Sequence, residues 1–315
     1  MRGYVYTPVR SKTMLPVGDG HQLHVEECGN PNGLPIVFLH GGPGGAVTEK
    51  SRRFFNPEKY RIILFDQRGC GQSQPLRSLK SNTTFASVAD MEIIREYFGL
   101  SEWLIFGGSY GSTLALTYAI MHPERVGHLF LRGVFLGRQS DIDWMIERGG
   151  ASEFFPAEHE SFAAWVQDSR KSSLVAAYYQ RMCQGSSEER AEAAKRWAEW
   201  EGGQTTIQPD FSGEAEVQDW QKTIGLLEAH YFAQGFFPKE SDQFILNHPD
   251  KLAALSMDIV HGRFDTICRL SGAYELARVC PKARLHIMEE SSHSPYEAHM
   301  FQKLVELLDD WEPEN

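Results

Sequence analysis

The sequence predicts an α/β protein, a doubly wound and mostly parallel sheet with an inserted helical cap. Three observations lead there. First, short apolar runs ending in glycine or an acidic residue recur at 23–28 (LHVEEC), 35–40 (PIVFLH), 61–66 (RIILFD), 103–107 (WLIFG), 128–133 (HLFLRG), 257–262 (MDIVHG) and 284–289 (RLHIME). Most are continuous rather than alternating, as in strands buried on both faces of a parallel sheet. Second, helical patterns lie between them, at 87–98 and 111–121, and strand alternating with helix is the rhythm of a doubly wound sheet. Third, that rhythm lapses from about 136 to 250, where AEHESFAAWVQDSRKSSLVAAYYQRM and SSEERAEAAKRWAEWEGG favour helix.

Each segment follows from this pattern. A single core stops growing near about 250–300 residues, so a chain of 315 residues calls for a domain plus an insertion. The expected division is a sheet core over 1–135, a helical cap over 136–250, and the rest of the core over 251–315. Within the cap, Ser186 followed by Glu189 reads as a helix-starting capping box.

Composition narrows the function. With 42% hydrophobic and 23% charged residues the chain is of ordinary globular make-up. A net charge of −11 argues against a nucleic-acid partner. No apolar run reaches membrane-spanning length, and the first twenty residues lack the apolar stretch of a signal peptide, so no membrane partner and a cytoplasmic location are expected. The five cysteines form no C-x-x-C pair, which disfavours a disulfide framework or a zinc site. No metal and no cofactor are expected.

The chemistry centres on LIFGGSYGSTLALTYA, residues 104–119. In Gly107-x-Ser109-x-Gly111, small residues two before and two after let a strand turn sharply into a helix, so the serine oxygen projects above the sheet. A nucleophile there needs an acid and then a histidine, in that chain order. Asp265 follows the strand 257–262, and His293 lies beyond the strand 284–289. Loops past the carboxyl ends of parallel strands are where ligands bind. Asp258 begins its strand, at the wrong edge. His286 lies within a strand, and His299 in a final helix. LHGGPGG (39–45) can turn backbone N–H groups toward an oxyanion, with Gly42 and Tyr110 as the donors. A phosphate loop is disfavoured, because no Gly-Lys-Ser/Thr follows and Pro43 removes a donor.

In the cap, Ala191, Ala194, Trp197, Ala198 and Glu201 share one helical face. Trp220, Ile224, Leu227, Glu228 and Tyr231 share another. Each apolar stripe therefore carries a glutamate. A single one can sit at a stripe's edge and reach water, but two among aromatics suggest a jointly held cation.

HGGPGG (40–45), DQRGCGQS (66–73), GGSYGSTLAL (107–116), HPERV (122–126) and HGRFD (261–265) together resemble the proline iminopeptidase family of α/β-hydrolases. The resemblance covers nearly the whole chain. It implies the α/β-hydrolase fold, release of N-terminal proline from short peptides, and Ser109, Asp265 and His293 as the triad. It further implies that Glu201 (in WAEWEGG) and Glu228 (in LLEAHYF) bind the substrate's amino group, and that Phe135 lines the proline pocket. Two departures bear on pocket shape. Tyr110 stands where the family usually has tryptophan, and DWMIERGG (143–150) lacks an aromatic that many members carry there. Cys70, in a tight turn near the catalytic edge, is expected to be reachable by thiol reagents, and Arg68 to brace the neighbouring loops. The alternatives are a hydrolase of small esters or amides on the same scaffold, and a non-catalytic binding protein, which the complete triad disfavours.

Overall fold

Val9–Gly18 form a strand, β1, that the reading of apolar runs passes over. Its pattern alternates and most of its side chains are exposed, as befits an edge strand with one wet face. It pairs antiparallel with β2 (His21–Gly29) across a turn in which Gly18, Asp19 and Gly20 all have positive φ. The remaining strands follow the predicted positions: β3 (Leu34–Leu39), β4 (Tyr60–Phe65), β5 (Trp103–Gly108), β6 (Val126–Arg132), β7 (Met257–Gly262) and β8 (Ala283–Met288). This is a computed structural model, and it describes residues 3–5, 7–166 and 173–313.

The sheet order is β1-β2-β4-β3-β5-β6-β7-β8. It is antiparallel from β1 to β4 and parallel from there on. The chain adds β4 on one side of β3 and β5 on the other, a switch of direction that leaves a crevice at the strands' carboxyl ends. Alternation along the strands splits the core. Val37, Ile63, Ile105 and Leu129 pack with Met91 of α1 (Thr84–Tyr97) and Leu114 of α2 (Tyr110–Met121). Phe38, Leu64, Phe106 and Val260 pack on the other face with Phe301 and Leu304 of the final helix, Ala298–Asp310. β5 and β7 are buried throughout, as their continuous apolar runs require. β8 is mostly half-buried because it closes the sheet's far edge.

Between β6 and β7 the described residues form helices and no strand: α3 (Gln139–Ile146), α4 (Pro156–Ala164), α5 (Leu174–Gln184), α6 (Ser187–Gly203), α7 (Asp219–Gln234) and α8 (Pro249–Leu252). The capping box at the start of α6 forms. Glu189 N donates to Ser186 Oγ at 3.2 Å, and Ser186 N to Glu189 Oε2 at 2.8 Å. One expectation fails: Trp220 is 54% exposed. It belongs to the first turn of α7, and the buried stripe begins only further along, at Gln221, Thr223 and Leu227. No described helix is long and apolar enough to cross a membrane.

Asp258, set aside as a catalytic acid because of its position, has a different set of partners. It is buried near the start of β7 and accepts from His128 Nε2 (3.1 Å), Arg284 Nε (2.9 Å) and His286 Nε2 (2.7 Å). Burial alone would raise its carboxyl, but these three partners outweigh it and hold the group far below the usual range. A depressed pKa stabilises the fold above the ordinary aspartate value and loses that contribution as pH falls below it. Asp258→Asn should therefore cost about 1–3 kcal/mol at neutral pH by leaving buried donors short of an acceptor. Urea unfolding would show this, and the gap to wild type should narrow below about pH 4.

Candidate active site

The turn from β5 into α2 is as tight as the sequence requires. Ser109 adopts φ 56° and ψ −129°, a strained conformation for a residue with a Cβ and one that costs on the order of 1–3 kcal/mol. A Cβ on Gly107 would strike the carbonyl of Gly111, and one on Gly111 would strike that of Leu39, so neither position admits a side chain. The elbow is pinned by its neighbours. Ser109 N donates to Arg132 O at 2.9 Å, and Ser112 Oγ to Ser109 O at 2.6 Å.

Asp265 and His293 meet beside it. His293 Nδ1 lies 2.8 Å from Asp265 Oδ2, while Ile267 N and Cys268 N donate to Asp265 Oδ1 at 3.0 and 2.8 Å. Burial alone would raise this carboxyl, but His293, His261 and the Cys268 N–H lower it on balance, so it stays ionised. An ionised carboxylate on Nδ1 fixes the tautomer and leaves Nε2 as the accepting nitrogen. Gly133, at φ 53°, lets β6 turn away where a Cβ would crowd the imidazole. Among the described residues no hydrogen bond joins Ser109 Oγ to His293. Nε2 instead lies 3.0 Å from Arg132 Nη1, which also donates to His293 O.

Arg132 escaped the sequence reading. Its signal in the sequence was a charged residue closing an apolar strand, one residue before a glycine; the structure sets it level with Gly108 in the sheet. It is 7% exposed, and burial lowers its pKa.

The two glutamates come together in the interior. Glu201 is 8% and Glu228 1% exposed, so neither reaches water from the edge of its stripe. Burial raises both carboxyls, and each affects the other. Glu228 accepts from Trp197 Nε1 at 2.6 Å, and the charges of His293 and Arg132 act on Glu201. Aromatic rings stand close by. Phe135 lies 5.2 Å from Phe236, centroid to centroid, and Tyr110 lies 5.3 Å from Tyr231. Tyr231 is on α7 with Glu228. Burial pushes the Tyr110 phenol up to about 12, so this residue is a neutral wall at physiological pH.

On the opposite side, the 39–45 loop is held by His40. Its Nε2 accepts from Gln67 N at 3.1 Å, and its Nδ1 bonds Gly41 O at 2.9 Å. Neither Gly42 N nor Tyr110 N donates to a protein acceptor among the described residues. Arg68 does brace loops, with two bonds to Asp90 and one each to Ser81 O and Val17 O.

Cys70 is not the accessible thiol expected. It is 1% exposed, and burial raises its pKa. Cys268, also buried, lies within reach of the Ser109 side chain. Cys183 is the exposed cysteine. Brief treatment with iodoacetamide should therefore alkylate Cys183 and leave activity intact, and Cys183→Ser should abolish that early label. Mass spectrometry beside an activity assay reads both. No group of histidine, cysteine and acidic side chains among the described residues is suited to a metal ion.

A family model described as the alpha/beta hydrolase fold matches residues 35–299. A proline iminopeptidase of Xylella fastidiosa is 41% identical over 294 residues, 93% of each chain. One from Arabidopsis thaliana is 42% identical, over 96% of this chain and 80% of its own. The chain belongs to the proline iminopeptidase family of α/β-hydrolases. Solved structures agree at the level of fold. A 2-hydroxy-6-oxo-6-phenylhexa-2,4-dienoate hydrolase from Rhodococcus superposes with a TM-score of 0.59 at 17% identity, covering 96% of this chain and 98% of its own. An esterase from Exiguobacterium antarcticum gives 0.58 at 20%, covering 92% and 95%.

Proposed function

We infer that this family member releases N-terminal proline from short peptides through an acyl-enzyme on Ser109. The observation that carries the reading is the buried pair Glu201 and Glu228, within electrostatic reach of the histidine that would serve the serine. Two carboxylates inside a protein are costly unless a cation or a proton is shared between them. The ammonium of a peptide's first residue supplies that cation and gives charge-assisted hydrogen bonds. Phe135 and its aromatic neighbours offer an apolar wall for a pyrrolidine ring. An amino terminus fixed at this point places the first peptide carbonyl, rather than a later one, at the nucleophile.

The reaction follows from the residues. Ser109 Oγ attacks the carbonyl carbon as its proton passes to His293 Nε2, which exchanges Arg132 for the serine as partner. Asp265 stabilises the imidazolium. The Gly42 and Tyr110 N–H groups receive the oxyanion. The imidazolium then protonates the departing amine, leaving prolyl-Ser109. Water, deprotonated by the same histidine, attacks the ester and releases proline. The cap assigned to 136–250 contributes the amine site, and the flanking core segments contribute the triad. The substrates are peptides small enough to enter beneath these helices, consistent with a cytoplasmic role in peptide turnover.

Comparing proline amide with N-acetylproline amide tests this. The free amine should be hydrolysed at least a hundredfold faster. Equal rates would give the chain to the ester or amide hydrolases.

A further inference from the structure

A cavity of about 320 Å³ opens beside the nucleophile. Gly41, Gly108 and Arg132 form part of its inner wall, and Thr48, Lys50 and Tyr296 part of its outer one. None of its lining comes from α3–α8, so it is separate from the Glu201 and Glu228 pair on α6 and α7. Its volume falls within the range of small-ligand sites.

Its charge is one-sided. No aspartate or glutamate lines it, although the chain has 42 acidic against 31 basic residues. Arg132, at the inner end, is nine-tenths buried, and its Nε has no hydrogen-bond partner among the described residues. Lys50, at the outer end, forms no ion pair among the described residues. Its Nζ lies 5.9 Å from the centroid of the Tyr296 ring. Walls of low polarizability focus the field of such charges into the space between them.

A peptide whose amino terminus is held by the glutamates must direct its remainder elsewhere. Each extended residue spans about 3.3–3.6 Å, so the free carboxylate of a di- or tripeptide stays close to the scissile bond. We propose that this cavity receives the leaving portion of the peptide, and that Lys50, with Arg132 behind it, attracts that portion's terminal carboxylate. The substrate is thereby held at both charged ends, the ammonium by two acids and the carboxylate by two bases. This rests on the aminopeptidase reading above, which supplies the orientation.

The test is the kcat/KM of Pro-Gly and Pro-Gly-Gly with free carboxylates divided by that of the same peptides as C-terminal amides, measured in wild type, Lys50→Ala and Lys50→Glu. Wild type should prefer the acids by roughly threefold to tenfold, as a partly screened charge contact allows, and added salt should shrink the preference. Lys50→Ala should reduce it, and Lys50→Glu should reverse it. A wild-type ratio of one, or a ratio that Lys50→Glu leaves in place, overturns the proposal. Proline 2-naphthylamide, which has no carboxylate, separates the two levels. Its hydrolysis by wild type with no acid preference removes only this subsite, whereas its failure removes the aminopeptidase reading as well.

Discussion

Ser109→Ala should lower turnover of proline amide by roughly 10⁴–10⁶-fold, because members of a triad act as a unit and the loss of one forfeits the work of the others. The fold should hardly notice. Alanine keeps the Cβ and thus the strain at φ 56°, and the lost hydroxyl caps no helix. Ser109→Gly is the informative companion. Glycine enters this conformation freely, so the strain of about 1–3 kcal/mol is relieved, less up to about 1 kcal/mol for the looser unfolded chain. An inactive protein that unfolds at a higher temperature than wild type is the expected outcome. Retention of a tenth of wild-type activity in Ser109→Ala would remove serine from the mechanism.

Glu201→Gln and Glu228→Gln should each reduce kcat/KM for proline amide by roughly 2–5 kcal/mol, the range for truncating one partner of a buried charge contact. That is about thirtyfold to several thousandfold. Both variants should still be labelled by a small serine-directed reagent without an amino group. N-acetylation of the substrate, ruinous for wild type, should matter far less to either. Stability should move the other way. A carboxyl whose pKa is raised by folding resists ionisation in the native state, so wild-type stability declines as pH climbs from the ordinary carboxyl range to the raised value. Each glutamine removes part of that decline, and at neutral pH the variants should unfold no sooner than wild type. Across the same pH window, an arriving ammonium should drive a proton off the pair. Calorimetry of proline amide binding to Ser109→Ala, in buffers of different ionisation enthalpy, would register that release. Absence of a buffer effect would mean that the pair is already ionised.

Much of this was legible in residue order, for definable reasons. Strands such as 35–40 and 103–107 stood out because burial on both faces leaves no polar position to interrupt them. β1 did not, since an edge strand alternates and its polar half resembles a loop. Ser109, Asp265 and His293 could be picked out as a proposed triad because such roles call for strand ends in a fixed order, and the structure brings Asp265 and His293 together. The meeting of Glu201 and Glu228 could be suspected only from each helix's own face, since nothing in a single helix states which neighbour it will meet. Trp220 misled because spacing defines a stripe but not where along the helix burial begins. The burial of Cys70 depends on the packing of the loop above it, and local sequence carries no trace of that.

The strand order also has a temporal meaning. The turn that carries Ser109, the proposed nucleophile, packs against β3 and β6, but its proposed base arrives on the loop after β8, the last strand among the described residues. That loop is tied back to the helical segment, with His293 N and Ser294 N both donating to Thr205 O. The proposed base is therefore in place only after the chain has been made past residue 293 and its loop has docked against the helical segment.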